Sequence, residues 1–220
     1  MVAAPTLDEE NSLFERGVKF VAGVDEVGRG ALAGPVSVGV AVVTVETSNP
    51  PTGLRDSKLM SLAARERIIS AVKDWPIAHA VGSASAQEID QIGIVSALRL
   101  AWTRAYELLT VKPEHVILDG KHNWLSPKAT DLFEIEIPNI EVPVTMKIKA
   151  DATCASVSAA SVLAKVDRDL YMRELAVSYP EYGWDSNVGY GASGHMDAIR
   201  RLGPTEFHRK SWSLPQQAGV

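Results

Sequence analysis

Val21-Ala-Gly-Val-Asp25-Glu26-Val27-Gly28-Arg29-Gly30 decides how this chain is read: small and β-branched residues, then two adjacent carboxylates, then a Gly-Arg-Gly turn. Val21 to Val24 suit a buried strand, where an ionised side chain is costly unless it is paired or metal-bound. Asp25 therefore calls for a cation. Neighbouring strand residues face opposite ways, so Asp25 and Glu26 can serve one site only where the strand ends or bends. Gly28 and Gly30 allow positive φ and close backbone approach, and Arg29 between them offers a fixed fork of donors suited to phosphate. The segment reads as a metal and phosphodiester site.

Two other readings of the same letters are weighed against it. Gly28-Arg29-Gly30-Ala31-Leu32-Ala33 matches the G-x-G-x-x-A fingerprint of dinucleotide-binding folds, which requires a helix next. Gly34 to Val43 reads instead as a second strand, and a pyrophosphate would lie beside two carboxylates with no helix N-terminus behind it. A solvated turn carrying charges by chance is the bland alternative, since polar residues gather at strand ends.

Working outward, the pattern predicts a short helix over 7–16, strands over 19–26 and 35–46, and a loop at Pro50-Pro51-Thr52-Gly53. Ser61 caps a predicted helix running to Lys73, and Ile77 to Ser85 forms a third strand with partial alternation. Three strands on short connections imply an antiparallel meander. Leu98, Ala101, Trp102, Ala105 and Leu109 recur at helical spacing in a core helix over Ile94 to Leu109. Val116 to Gly120 and Val142 to Ile148 read as strands, and Ala152 to Arg173 as one long helix. The expected fold class is α/β, a mixed sheet of three antiparallel strands followed by parallel strands, flanked by helices. Beyond residue 178 aromatic residues interleave with glycines, which reads as a C-terminal helical and loop extension, loop-rich and not a second core. The expected organisation is one domain over 1–220, with a core over about 18–175, an extension over about 176–212 and flexible ends at 1–10 and 214–220.

At 220 residues, 46% hydrophobic and 22% charged, the chain has the composition of a soluble globular protein. The single cysteine, Cys154, forms no intrachain disulfide and excludes a cysteine-rich zinc site. An acidic N-terminus and the lack of a membrane-length apolar run predict a cytoplasmic protein with no membrane association. A net charge of −5 looks wrong for a nucleic-acid binder, but metal-binding carboxylates carry negative charge that divalent ions offset. Arg200, Arg201, Arg209 and Lys210, with His195 and His208 nearby, make the C-terminal stretch locally basic. The histidines lack metalloprotease or zinc-finger spacing, and no Walker sequence or Gly-x-Ser-x-Gly elbow is present.

Asp119 and Asp151 repeat the grammar of Asp25-Glu26: an apolar strand ends, a carboxylate follows, the chain turns. Strand ends of an α/β sheet converge on one edge, and an oxygen-only cage there favours magnesium or manganese, which activate water and stabilise the leaving oxygen of a phosphodiester. Each position also has a structural reading. Asp119-Gly120 is an ordinary turn dipeptide and Asp151 can cap the next helix. Asp167 and Asp169 compete for the fourth place, yet lie in mid-helix beside Lys165, Arg168 and Arg173, the pattern of a solvated, paired face. Asp56-Ser57-Lys58 is a polar loop in which Lys58 can hold a phosphate.

With these motifs in unbroken order over about residues 12–212, the chain resembles bacterial ribonuclease HII, a type 2 ribonuclease H. The resemblance is carried by Ala22-Gly-Val-Asp-Glu-Val-Gly-Arg-Gly30, Asp56-Ser-Lys58, Leu118-Asp-Gly120 and Lys149-Ala-Asp151. Val157-Ser-Ala-Ala-Ser-Val-Leu-Ala-Lys165, Gly189-Tyr-Gly191 and His208-Arg209 complete it. It implies a ribonuclease H-like fold and four metal-binding carboxylates at Asp25, Glu26, Asp119 and Asp151, which turns the choice away from Asp167 and Asp169. It further implies that backbone groups of Gly28, Arg29 and Gly30 read a 2′-hydroxyl, and that Tyr190 packs against the adjoining deoxynucleotide sugar.

The implied activity is endonucleolytic hydrolysis of the RNA strand of RNA/DNA hybrids and of single ribonucleotides within duplex DNA. It would use two Mg2+ or Mn2+ ions, with Asp25 bridging them, in a monomeric protein. Two rivals stand beside it: a non-catalytic nucleic-acid binding module, and another metal nuclease of the same fold. The first leaves the clustered carboxylates repelling a polyanion to no purpose, and the second has no need of both the Gly-Arg-Gly turn and Tyr190.

Overall fold

The computed structural model describes residues 4–126 and 137–216. The valine-rich runs found above form the middle of a five-stranded sheet of order β3-β2-β1-β4-β5. β1 (Val21–Val27), β2 (Val36–Val43) and β3 (Ala78–Ala84) are antiparallel neighbours, whereas β4 (His115–Asp119) and β5 (Val144–Lys147) run parallel to β1. A strand directly after the Gly-Arg-Gly turn removes the helix that a dinucleotide fingerprint needs. β2 is buried along its whole length because helices cover both faces of the sheet.

Glycines set how closely those helices approach. A Cβ on Gly23 would lie 2.2 Å from the backbone of Ser156 and Val157, and one on Gly39 2.1 Å from the Ala160 carbonyl. α5 (Ala155–Ser178) therefore rests with its backbone almost on β1 and β2, and Ala159, Ala160 and Ala164 line that contact. On the opposite face a Cβ on Gly82 would strike the Ala101 carbonyl at 2.1 Å, so α3 (Ala86–Leu108) lies equally close. Ala97, Leu98, Ala101 and Trp102 of α3 pack there on Val36, Val38, Val40 and Val42. α2 (Leu62–Asp74) packs on α5. Its Ser61 cap is as predicted, with the hydroxyl accepting from Ala64 N–H.

Four expectations change. α3 starts at Ala86 instead of Ile94, because Ser85 and Glu88 form a capping box and Gly93, at φ 76°, carries a kink that interrupts the periodicity. The predicted helix from Ala152 to Arg173 is divided into α4 (Ala150–Thr153) and α5, since Cys154 is extended and Ala155 N–H donates to the Thr6 carbonyl. The flexible end expected over residues 1–10 is corrected for residues 6–10. Thr6 pairs with Cys154, α1 (Asp8–Glu15) follows, and buried Glu10 accepts from Ser156 N–H at 2.9 Å and Ser156 Oγ–H at 2.6 Å, capping α5. Residues 1–3 and 217–220 lie outside the described residues.

The fourth concerns the C-terminal appendage, which has a buried cluster after all. Tyr182, Trp184, Val188, Ala198 and Ile199 close over Met172 and Ala176 of α5, with α6 (Trp184–Asn187) and α7 (Ser193–Leu202) around them. Stacked Tyr182 and Trp184 rings, 5.2 Å between centroids, account for the aromatic spacing that the sequence shows without explaining. Among the described residues, no helix is long and apolar enough to cross a membrane.

Candidate active site

Parallel pairing of β1 with β4 aligns Val24 with Leu118, so Asp25 and Asp119 follow side by side where the paired stretch ends. Asp25 shares its face with Gly23 and therefore points towards α5; it is 3% exposed. Glu26 is the next residue of β1, beyond the reach of β4, and lines the same cleft. Asp119 Oδ1 accepts from Ala150 N–H at 2.7 Å, which fastens the end of β4 to the helix carrying Asp151. Lys149, at φ 59°, makes the left-handed turn that brings Asp151 round.

Lys58 joins from a single 3-10 turn, Ser57–Leu59, which Asp56 caps by accepting from Lys58 N–H at 2.8 Å. Ser57 Oγ meets Ser161 Oγ at 2.7 Å, and Arg65 donates to the carbonyls of Ser57 and Met60. With its base fixed, Lys58 Nζ reaches Asp151 Oδ2 at 2.8 Å. A cleft of about 650 Å³ is lined by Asp25, Glu26, Asp119, Gly28 to Gly30, Lys58 and Tyr190. Asp151 is not part of its wall and connects to it through Lys58 and the Asp119–Ala150 bond.

The electrostatics are those of carboxylates short of positive charge. Burial pushes the Asp25 carboxyl from 3.8 up to about 7; Glu26 and Asp119 push the same way, while Ser161 and the Lys58 ammonium oppose them. Glu26 and Asp119 are also raised, in each case first by burial and then by neighbouring carboxylates. Burial works against the Lys58 charge too, but Asp151 and Asp25 outweigh it and hold the ammonium above its usual range. Among the described residues, no three His, Cys, Asp or Glu side chains stand as a finished metal-ligand set; the Lys58 ammonium holds the counter-charge position. Hard oxygen donors, desolvated and mutually repelling, fit Mg2+ or Mn2+, whose binding would relieve each of these shifts.

The Gly-Arg-Gly turn forms the adjoining wall. Gly28, at φ 82°, donates its N–H to the Tyr190 hydroxyl at 3.2 Å, and a Cβ there would lie 2.1 Å from Arg168 Nε. Gly30 has neither a positive φ nor a close neighbour. Arg29 keeps its side chain at the cleft, 3.3 Å from Glu26. Arg209 donates to the carbonyls of Gly28 and Arg29 at 2.6 and 2.9 Å.

Several buried groups differ from the reading of their sequence context. Arg168 and Asp169 do not form a solvated helix face: they are 0% and 3% exposed, and Asp169 pairs with Lys165 and Arg65. Asp169 is thus engaged by two basic neighbours of the scaffold. The basic C-terminal stretch is also thinner than its composition, since Arg209, His195 and His208 are buried. His195 Nδ1 meets the Tyr190 carbonyl at 2.8 Å, and its Nε2 meets His208 Nε2 at 3.1 Å. Arg168, between Asp167 and Asp169, carries no sequence signal of burial, and Arg209 stands out only as part of the His208-Arg209 motif.

The sequence model of the ribonuclease HII family matches residues 22–214. A ribonuclease HII of Streptomyces coelicolor is 44% identical over 217 residues, spanning 96% of this chain and 87% of that protein. Among solved structures, ribonuclease H2 from Pyrococcus horikoshii OT3 is similar at TM-score 0.68 and 26% identity, over 88% of this chain and 94% of that one. Bst-RNase HIII, solved in complex with Mn2+, shares the fold at TM-score 0.58 and 21% identity, over 84% of this chain and 63% of that one. The mixed sheet with its parallel β1-β4-β5 half is the ribonuclease H-like fold. Matched over nearly its whole length, the chain belongs to the ribonuclease HII family of metal-dependent endonucleases, which implies ribonuclease H activity on RNA/DNA hybrids.

Proposed function

We propose that the protein hydrolyses the RNA strand of RNA/DNA hybrids and also cuts on the 5′ side of a single ribonucleotide embedded in duplex DNA, leaving 3′-hydroxyl and 5′-phosphate ends. The observation that carries this reading is the meeting of Gly28 N–H with the Tyr190 hydroxyl at 3.2 Å, on the wall of the cleft that also holds Asp25, Glu26 and Asp119. A donor and a hydroxyl side by side can bond a ribose 2′-hydroxyl, and the tyrosine ring offers an apolar face to the neighbouring deoxyribose. A lone ribonucleotide presents both features at one junction.

Asp25, Glu26, Asp119 and Asp151 would hold two divalent ions, Mg2+ or Mn2+, and Asp25, at 3% exposed, is the most buried of the four. Such ions supply a water activated in line with the scissile bond and neutralise the charge on the departing 3′-oxygen. Lys58 and Arg29, whose side chains are 64% and 45% exposed, turn to the phosphates on either side. Gly28 and Tyr190 hold the ribose so that the phosphodiester on its 5′ side faces Asp25. Every group named lies on one chain, so a monomer suffices.

The test is an end-labelled DNA duplex carrying one ribonucleotide, incubated with Mg2+ or Mn2+, with the product ends mapped. Incision on the 5′ side leaving a 3′-hydroxyl supports the reading. Cleavage of long hybrids alone, or incision on the 3′ side, contradicts it.

A further inference from the structure

Arg168 sits in the middle of α5 with no exposed surface, and among the described residues no carboxylate pairs with it. Its guanidinium is instead spent on three carbonyls from two separate loops. Nε donates to Pro35 at 2.8 Å and one terminal nitrogen to Ala33 at 3.1 Å, both in the loop that continues from the Gly-Arg-Gly turn. The other terminal nitrogen donates to Val188 at 2.9 Å, two residues before Tyr190. The guanidinium carbon also lies 5.5 Å from the centroid of the Tyr190 ring.

Two backbone features show that this junction is held tightly. Val188 has φ 44° and ψ 36°, a left-handed conformation that a β-branched residue adopts only when its surroundings enforce it. Gly28 cannot carry a Cβ because Arg168 occupies that space. A buried guanidinium is expensive, and apolar packing of similar volume would ordinarily stabilise more. Scaffold packing alone therefore does not account for a cation here. What it provides is a rigid, planar set of donors that fixes two loops at one separation.

We propose that Arg168 is a positioning residue for substrate reading: it fastens the loop of Gly28 to the loop of Tyr190 and so sets the gap in which a ribose beside a deoxyribose is recognised. The inference rests on the proposed reading of a single ribonucleotide. It locates the rigidity of that reader in a residue that touches no substrate. A long hybrid offers a 2′-hydroxyl at every position and tolerates a looser gap; a lone ribonucleotide offers one.

The experiment measures kcat and KM of the full-length protein on two duplexes, one with a single embedded ribonucleotide and one a continuous hybrid, together with thermal stability. Arg168→Lys keeps the charge but loses the planar fork. The expected result is a kcat/KM about 30-fold lower on the single ribonucleotide and no more than about threefold lower on the hybrid, with kcat carrying most of the loss. Equal loss on both substrates overturns the inference. Val188→Gly relaxes the left-handed backbone and also removes a side chain packed in the C-terminal cluster, so a moderate loss of stability is expected and its thermal unfolding is followed alongside. Its discrimination is expected to fall about three- to tenfold; unchanged discrimination in a folded Val188→Gly protein overturns the inference even if Arg168→Lys fails to fold. A wild-type protein that ignores the single ribonucleotide would instead remove the underlying functional reading, and that outcome is visible before any variant is made.

Discussion

The Lys58 ammonium lies 2.8 Å from Oδ2 of Asp151, in the space that the carboxylates would share with a cation. On the proposed reading Lys58 would compete with divalent ions until nucleic acid draws it to a phosphate. Its side chain is 64% exposed, so solvent screening keeps the effect modest. Lys58→Met is expected to tighten Mn2+ binding about two- to fivefold in titration calorimetry without nucleic acid, and to slow incision by about tenfold. Unchanged Mn2+ affinity would show that the ion pair opens at no cost.

Asp25 gives the metal-free protein a definite pH dependence. Its folded pKa of about 7 is above the ordinary 3.8, so the folded state holds a proton that the unfolded state releases. Stability from this group is full below pH 3.8 and declines as pH rises to about 7. Asp25→Asn removes that decline and should stabilise the protein in EDTA at pH 8 by on the order of 2–4 kcal/mol, and by little at pH 4. Urea denaturation at the two pH values measures the difference. A gain independent of pH would mean that the carboxylate is not desolvated.

His208 titrates with the opposite sign. Burial, His195 and Lys210 lower it from 6.5 to about 4, so the folded state rejects a proton that the unfolded state accepts. The C-terminal cluster should loosen as pH falls from 6.5 towards 4, and fluorescence of buried Trp184 follows it. His208→Gln should flatten that response while lowering stability at pH 7.

The face of the sheet beneath α5 tolerates no added atom. Gly39→Ala would place a Cβ 2.1 Å from the Ala160 carbonyl, which only a shift of the whole helix can relieve. A loss of at least about 3 kcal/mol is expected in chemical denaturation. Gly30→Ala, with open space around it, should be close to neutral for stability.

Tyr190→Ala should impair cleavage at a single ribonucleotide more than within a continuous hybrid, because on the proposed reading the ring lining the cleft would face the junction while the carboxylates proposed to bind metal are untouched. Equal loss on the two duplexes would count against junction reading.

Much of this site was legible because its signals are local. An apolar run that ends in a carboxylate is visible within five residues at Asp25 and again at Asp119, and the sheet turns that repetition into adjacency through the register of Val24 and Leu118. Arg168 was illegible for the converse reason. Its partners at Pro35 and Ala33 are 133 and 135 residues away and are backbone carbonyls, which leave no mark in the sequence. Charged neighbours at helical spacing suggested a wet face, and the loops folded over it instead. Glu10 escaped notice similarly, since its partner Ser156 is 146 residues distant and the helix it caps begins with no capping side chain of its own. The kink at Gly93 concealed the first turns of α3, although Ser85 and Glu88 carry a capping signature readable in advance.

The central claim is that Asp25 and its neighbouring carboxylates hold the divalent ions that cut beside a ribonucleotide. The most direct measurement compares wild type with Asp25→Asn on a duplex bearing one ribonucleotide, following incision and calorimetric Mn2+ binding on the same preparations. Incision with Mn2+ binding by the wild type is predicted. The variant should lose both while binding the duplex within about threefold of wild type. An Asp25→Asn protein that still incises at a comparable rate would contradict the account.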